Sequence, residues 1–224
     1  GRIVLVYTRM ESRGRGDFRA SHLASRVSTD NGRTWSRKDE VVLDNEGFIN
    51  TMCVSLVRLR DGRIAMFYSI KNSLVDCRPH VRFSADDMES WSQPVAVIPE
   101  TDMGYYVLNN DRVIQLGSGR LVVPVALHNT PGWKESTRRT EKWADVVPGA
   151  EDELGWTQYG HIMCYLSDDG GATWRRSRTV LTGGRPEGER IMLQEPGVVE
   201  RKDRSLVMWF RTEEGRQWKS TSED

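Results

Sequence analysis

Glu195 and Arg211 are the residues whose types and spacing most invite chemistry. They stand 16 residues apart, at the outer ends of the segment Gln194-Glu-Pro-Gly-Val-Val-Glu-Arg-Lys-Asp-Arg-Ser-Leu-Val-Met-Trp-Phe-Arg211. Two apolar runs, β-branched then aromatic, flank a polar stretch, which predicts a hairpin. If Glu195 opens the first strand and Arg211 closes the second, both project at one end, with a carboxylate beside a guanidinium. Such a pair could serve a ligand site. It could equally be a salt bridge that caps the hairpin.

The same hairpin recurs, and the recurrence says which end to search. Val54–Leu59, Asp61-Gly62 and Arg63–Tyr68 form one copy; Arg112–Leu116, Gly117-Ser-Gly119 and Arg120–Ala126 form another. Gly1 opens what reads as the second half of a further one. With the tight turns at one end, the opposite end gathers the starts of first strands, the ends of second strands and the connections beyond. Function is expected there, on loops held by a rigid scaffold. The strand starts bring Asn50, then Asn109, Asn110 and Asp111, then Glu195. The second-strand ends bring Arg9, His128 and Arg211, and the connections bring Asp17 and Arg78. Tyr105 and Tyr106 reach the same end.

A second repeat follows each hairpin. Ser28-Thr-Asp-Asn-Gly-Arg-Thr-Trp35 and Ser167-Asp-Asp-Gly-Gly-Ala-Thr-Trp174 share the pattern S-x-D-x-G-x-T-W. Ser84-Ala-Asp-Asp-Met-Glu-Ser-Trp91 is a weaker copy with Met88 in place of glycine, and Ser222-Glu-Asp224 starts a fourth. The serines lie 56, 83 and 55 residues apart. In each box the aspartate can accept bonds within its own turn, glycine supplies a positive φ, and tryptophan folds back as an apolar plug. The unit is therefore hairpin, connection, strand, box turn, strand. Four antiparallel strands repeating about every 55 residues fit an all-β propeller blade better than a sandwich.

This box is the Asp-box, or BNR repeat, and the chain resembles the sialidase (neuraminidase) superfamily. The resemblance implies a six-bladed β-propeller of four-stranded blades, about four of them within residues 1–224, truncated at both ends. Box residues Asp30, Trp35, Asp86, Trp91, Asp169 and Trp174 are then structural. In sialidases a glutamate opens the inner strand of one blade, a V-V-E-L-x-D-G run follows, and an arginine closes the hairpin; Glu195 and Arg211 match in order and spacing. Arg201 replaces the leucine and Arg204-Ser205 the Asp-Gly turn, while the flanking apolar runs are intact. The family cleaves terminal sialic acid with retention. Three arginines hold the sugar carboxylate, a tyrosine activated by a glutamate is the nucleophile, and an aspartate is the acid/base. The resemblance makes Glu195 the tyrosine's partner, Arg211 one arginine of the three and Asp17, after the run Arg13-Gly-Arg-Gly16, the acid/base. It places the tyrosine and the other two arginines outside these residues, so that residues 1–224 alone would not hydrolyse. Arg9, Arg78, Asn109, Asn110, Asp111, His128 and Tyr106 are candidate sugar contacts, the tyrosines 105 and 106 as pocket walls. A non-catalytic carbohydrate-binding propeller and a polysaccharide lyase using His128 or a tyrosine as base are the alternatives.

Composition narrows the partners. Lysine plus arginine and aspartate plus glutamate both number 32, so no global field recruits nucleic acid or an anionic membrane. No apolar run approaches the ~20 residues that cross a bilayer. Cys53, Cys77 and Cys164 have no metal-ligand spacing; Cys53 and Cys164 read as small core residues. No cofactor or metal is implied, and the expected partner is a glycan or acidic sugar. The resemblance favours an extracellular or periplasmic location. The stretch 129–159, with Trp133, Trp143 and Trp156, accounts for the long spacing and reads as a lid or a surface insertion.

Overall fold

A computed structural model describes residues 1–11, 16–131, 159–184 and 189–223. The lid or insertion assigned to 129–159, with its three tryptophans, lies almost wholly outside the described residues, as do most of the glycine-rich run before Asp17 and the aspartate of the fourth box. The described chain is all-β apart from two single 3-10 turns. Among the described residues no helix is long and apolar enough to cross a membrane.

Among the described residues four antiparallel sheets follow one another along the chain. Sheet one holds β1 (Ile3–Met10), β2 (Ser21–Ser28) and β3 (Glu40–Leu43). Sheet two holds β4 (Asn50–Arg58), β5 (Ile64–Ser73), β6 (Asp76–Ser84) and β7 (Val95–Ala96). Sheet three holds β8 (Tyr106–Val107), β9 (Ile114–Gln115), β10 (Leu121–Leu127), β11 (His161–Ser167) and β12 (Arg175–Arg176). Sheet four holds β13 (Gln194–Glu200), β14 (Leu206–Arg211) and β15 (Trp218–Ser222). In sheet three the first strand of the hairpin is split between β8 and β9, both paired to β10.

Consecutive sheets pack face to face, which explains the continuous apolar runs. Side chains alternate faces along a strand. Ala65 and Phe67 of β5 join a core shared with sheet three, while Met66 and Tyr68 join one shared with Leu23 of sheet one. Leu121, Val123 and Val125 of β10 face sheet two, and Val122 and Ala126 meet Val198, Leu193 and Phe210 on the sheet-four side. A strand covered on both faces needs no polar alternation. By contrast β1 leaves Ile3 and Leu5 exposed.

The box turns are three versions of one hydrogen-bond set. Asp30 takes bonds from the Thr34 amide (2.8 Å) and hydroxyl (2.7 Å), and the Ser28 hydroxyl accepts the Gly32 amide (2.9 Å). Asp169 and Ser167 repeat this with Thr173 and Gly171. The weaker copy keeps it too: Ser90 replaces threonine, and the Met88 amide bonds Ser84 at 2.8 Å. Met88 stands at φ 78°, beside 83° for Gly32 and 94° for Gly171, so a side chain occupies the conformation that favours glycine. These bonds stabilise the ionised carboxylates, drawing Asp30 and Asp86 down to about 2 and Asp169 lower still. Trp174 packs edge-on to Phe67 and Trp91 against the core between sheets one and two. Trp35 differs, with 37% of its surface exposed.

The departures in the Glu195 hairpin are absorbed locally. Its turn repeats the bonds of the other two: Arg201 N–H to Ser205 O, as Leu59 to Arg63 and Leu116 to Arg120. Arg204, at φ 75°, takes the place held by Gly62 (90°) and Gly119 (97°), so the turn pair is Asp203-Arg204, one residue earlier than the Arg204-Ser205 read from the sequence.

Candidate functional site

The end opposite the box turns opens into a cleft of about 550 Å³ lined from all four sheets. Sheet one and its connection contribute Thr8, Met10, Asp17 and Phe18. Sheet two contributes Met52, Cys53, Ser69, Lys71 and Cys77, and the third repeat Tyr105, Tyr106, Asn109, Asn110 and His128. Gln194, Glu195 and Arg211 complete the wall. The structure thus gathers Asp17, Tyr106, Asn109, Asn110, His128, Glu195 and Arg211, which no stretch of sequence brings together.

Glu195 and Arg211 meet directly, Nη1 donating to Oε1 at 2.5 Å. The strand register does not pair them: Gln194 is the partner of Arg211, and a bulge lies between Gln194 and Gly197. Glu195 sits in that bulge at φ 51°. A bulge re-aims a side chain, and a left-handed glutamate is strained in a way that clusters at functional sites. Gly197, at the end of the bulge, has no room for a side chain: a Cβ there would lie 2.3 Å from the Trp209 ring. Arg211 is about half exposed, so the rest of its fork remains accessible.

Sheet two carries a matching bulge between Met52 and Ser55, with Cys53 at φ 61°. The bulge frees two amides, and neighbouring sheets catch both. Thr8 Oγ1 accepts Cys53 N–H (3.0 Å), and Asn110 Oδ1 accepts Val54 N–H (3.1 Å). Asn110 therefore lines the cleft while bracing backbone. Cys53 is half-buried in the cleft wall instead of standing in the apolar interior, and burial pushes its thiol up to about 12, far from a reactive thiolate.

Three candidates stand at this end but do not line the cleft, and strand parity is the reason for two of them, Arg9 and Arg78. In β1, Thr8 and Met10 line the cleft; Arg9, between them, pairs with Asp39, which also binds Tyr7 and Arg26. In β6, Cys77 lines it, while Arg78 is buried against Asp76 at 2.7 Å. Asp111 is exposed, with its amide donating to Val54 O at 3.1 Å.

Tyr105 and Tyr106 are buried walls. Burial raises both phenols, Tyr105 well above the ordinary value, and Tyr106 donates to Asp102 O at 3.0 Å. His128 is buried beside Gly160. Two further groups suit a polar ligand: among the described residues, Asn109 Oδ1 and Ser69 Oγ are buried without a hydrogen-bond partner. Ser69 and Lys71 escape a reading by strand ends, because the apolar run of β5 stops at Tyr68 while the strand continues to Ser73. Among the described residues no cluster of three or more His, Cys, Asp or Glu could hold a metal ion.

The family model described as the BNR repeat-like domain matches residues 53–224. The chain belongs to that family. Its fold is the BNR-repeat fold of the sialidase superfamily, and solved structures agree. A protein of unknown function from Dyadobacter fermentans is 19% identical, with a TM-score of 0.69 over 100% of this chain and 63% of its own. A Hadza microbial sialidase is 15% identical (TM-score 0.69), and the match spans this whole chain and 42% of that one. Trypanosoma rangeli sialidase, solved in complex with sialic acid, is 17% identical (TM-score 0.66), covering 100% and 34%. This BNR chain thus spans between about a third and two thirds of those proteins. No curated protein matched the sequence.

Proposed function

We propose that the full-length protein is a sialidase-like retaining exo-glycosidase that removes terminal sialic acid, or a related acidic sugar, from glycans. In this reading residues 1–224 form one partial domain, its sheets being blades of a six-bladed propeller. The carrying observation is the Glu195–Arg211 contact at 2.5 Å on a cleft that Asp17 lines from another sheet. Arg211 would fork the sugar carboxylate with its accessible donors. Glu195 would take the proton of a tyrosine supplied from outside these residues as that oxygen bonds the anomeric carbon. Asp17 would protonate the departing glycosidic oxygen, then deprotonate the water that releases the sugar. Asn109 and Ser69 would meet hydroxyl or amide groups of the ring.

The test is hydrolysis of a sialoside by the full-length protein, followed by NMR of the first-formed anomer. Release with retained configuration is the expected result. Binding of free sialic acid without any turnover would instead favour a carbohydrate-binding propeller, and inversion would remove the tyrosine mechanism.

A further inference from the structure

Lys71 is a charged residue of the cleft wall with no part in the mechanism above. It lies two residues before the end of the second strand of sheet two, opposite Asn50 in register, as Arg211 stands opposite Gln194 in sheet four. Its side chain is almost fully buried, and burial lowers its pKa from the ordinary lysine value. What holds the ammonium is a carbonyl and two rings. Nζ donates to the main-chain oxygen of Asp17 at 2.8 Å and lies 4.4 Å from the Phe18 ring centroid and 5.4 Å from that of Tyr105. Packing alone would be served by leucine or methionine, since burying an ammonium is costly. A lysine here makes sense for what it grips.

Its cross-strand mate grips the same segment. Asn50 Nδ2 donates to Asp17 O (2.7 Å) and Arg19 O (2.9 Å). Two carbonyls flanking Phe18 are thus tied to the adjacent ends of β4 and β5. The Glu11–Ala20 backbone bond of 2.9 Å closes the base of the connection. We propose that Lys71, with Asn50, is a positioning residue that fixes the Asp17 carboxyl over the cleft by clamping its backbone to sheet two. The proposal rests on the reading of Asp17 as acid/base. A general acid must lie within hydrogen-bond reach of the oxygen it protonates, and a carboxyl on a connecting loop needs such an anchor.

The test uses the full-length protein with Lys71→Met, Lys71→Gln, Asn50→Ala and Asp17→Asn. The first readout is amide hydrogen exchange across residues 16–20, which needs no activity. Lys71→Met should speed exchange there about tenfold or more with β4–β5 unchanged, and Lys71→Gln, which keeps a donor, should do so less. The second readout is turnover of two sialosides. For a sugar-linked sialoside, whose leaving oxygen needs a proton, Lys71→Met should cut kcat roughly 10–100-fold. For an aryl sialoside with an acidic phenol as leaving group, the loss should stay within about threefold, as for Asp17→Asn. Asn50→Ala should give the same split in milder form, and it carries the test if Lys71→Met fails to fold. Unchanged exchange at 16–20, or equal loss on both substrates, overturns the proposal. If the wild type turns over neither substrate, the glycosidase reading fails, and exchange alone decides whether Lys71 holds the segment.

Discussion

The two ends of the sheets obey different rules. At the box end, three turns from three sheets repeat the same serine–aspartate–hydroxyl bonds, even where Met88 must take a left-handed conformation to do so. At the cleft end, equivalent positions diverge: opposite the first residue of the preceding strand stands Lys71 in sheet two and Arg211 in sheet four, while His128 follows the second strand in sheet three. Cys53 and Glu195 occupy matching bulges with unrelated side chains. Repetition is what a turn common to every unit requires. Divergence is what a site built jointly by those units requires, because each must contribute a different group.

The strongest test of that division is the pair Glu195 and Arg211 in the full-length protein. Glu195→Gln removes the proton acceptor and should lower kcat about 10²–10⁴-fold with the melting temperature nearly unchanged. Arg211→Ala should act chiefly on affinity, raising KM for a carboxylate-bearing substrate about tenfold or more. Were the pair only a cap on the hairpin, both variants would lose thermal stability together and keep their turnover.

At the opposite end, substitution should cost stability and spare chemistry. A Cβ on Gly171 would lie 2.5 Å from the Phe83 ring, at φ 94°. Gly171→Ala combines a left-handed alanine with an overpacked contact and should destabilise by about 2–4 kcal/mol. Denaturant unfolding reads this directly. A change in kcat per folded molecule would erase the contrast between the two ends.

Acid should find the box end through its carboxylates. The folded-state pKa values of Asp30 and Asp86 lie near 2, and that of Asp169 lower, all below an unfolded value of about 3.9. Their contribution is complete above the unfolded value and is lost as pH falls through the folded one. Melting temperature should therefore drop between about pH 5 and 2, and Asp169→Asn should flatten that slope while lowering stability at neutral pH. An unaltered slope would mean that the box carboxylates do not govern acid unfolding.

Much of this was legible in the sequence, and the limits were physical. The boxes and hairpins could be read because turn chemistry and two-sided burial leave local patterns. The level of the site could be read from strand ends; which side chains face it could not. Arg9 and Arg78 show why, since one residue of parity decides between cleft and flank, and bulges at Cys53 and Glu195 reset that parity without a sequence signal. Lys71 was hidden by its own role: Ser69 and Lys71 interrupt the apolar run of β5 because that face of the strand borders a polar cleft.

The smallest predicted effect probes the most degraded repeat. Met88 holds φ 78° where its two counterparts are Gly32 and Gly171. A left-handed conformation costs a non-glycine residue about 1–2 kcal/mol, and glycine returns part of that, about 0.5–1 kcal/mol, through the entropy of the unfolded chain. Met88→Gly should therefore stabilise by roughly 0.5 kcal/mol, provided the half-buried methionine side chain contributes little packing of its own. Arg204→Gly, at φ 75°, is the matching change in a hairpin turn and should shift stability in the same direction. Chemical denaturation of both variants is sensitive enough to decide. If Met88→Gly loses stability, the side chain is a packing element that the intact boxes lack. The sheet-two turn would then be a specialised unit rather than a worn copy of the other two.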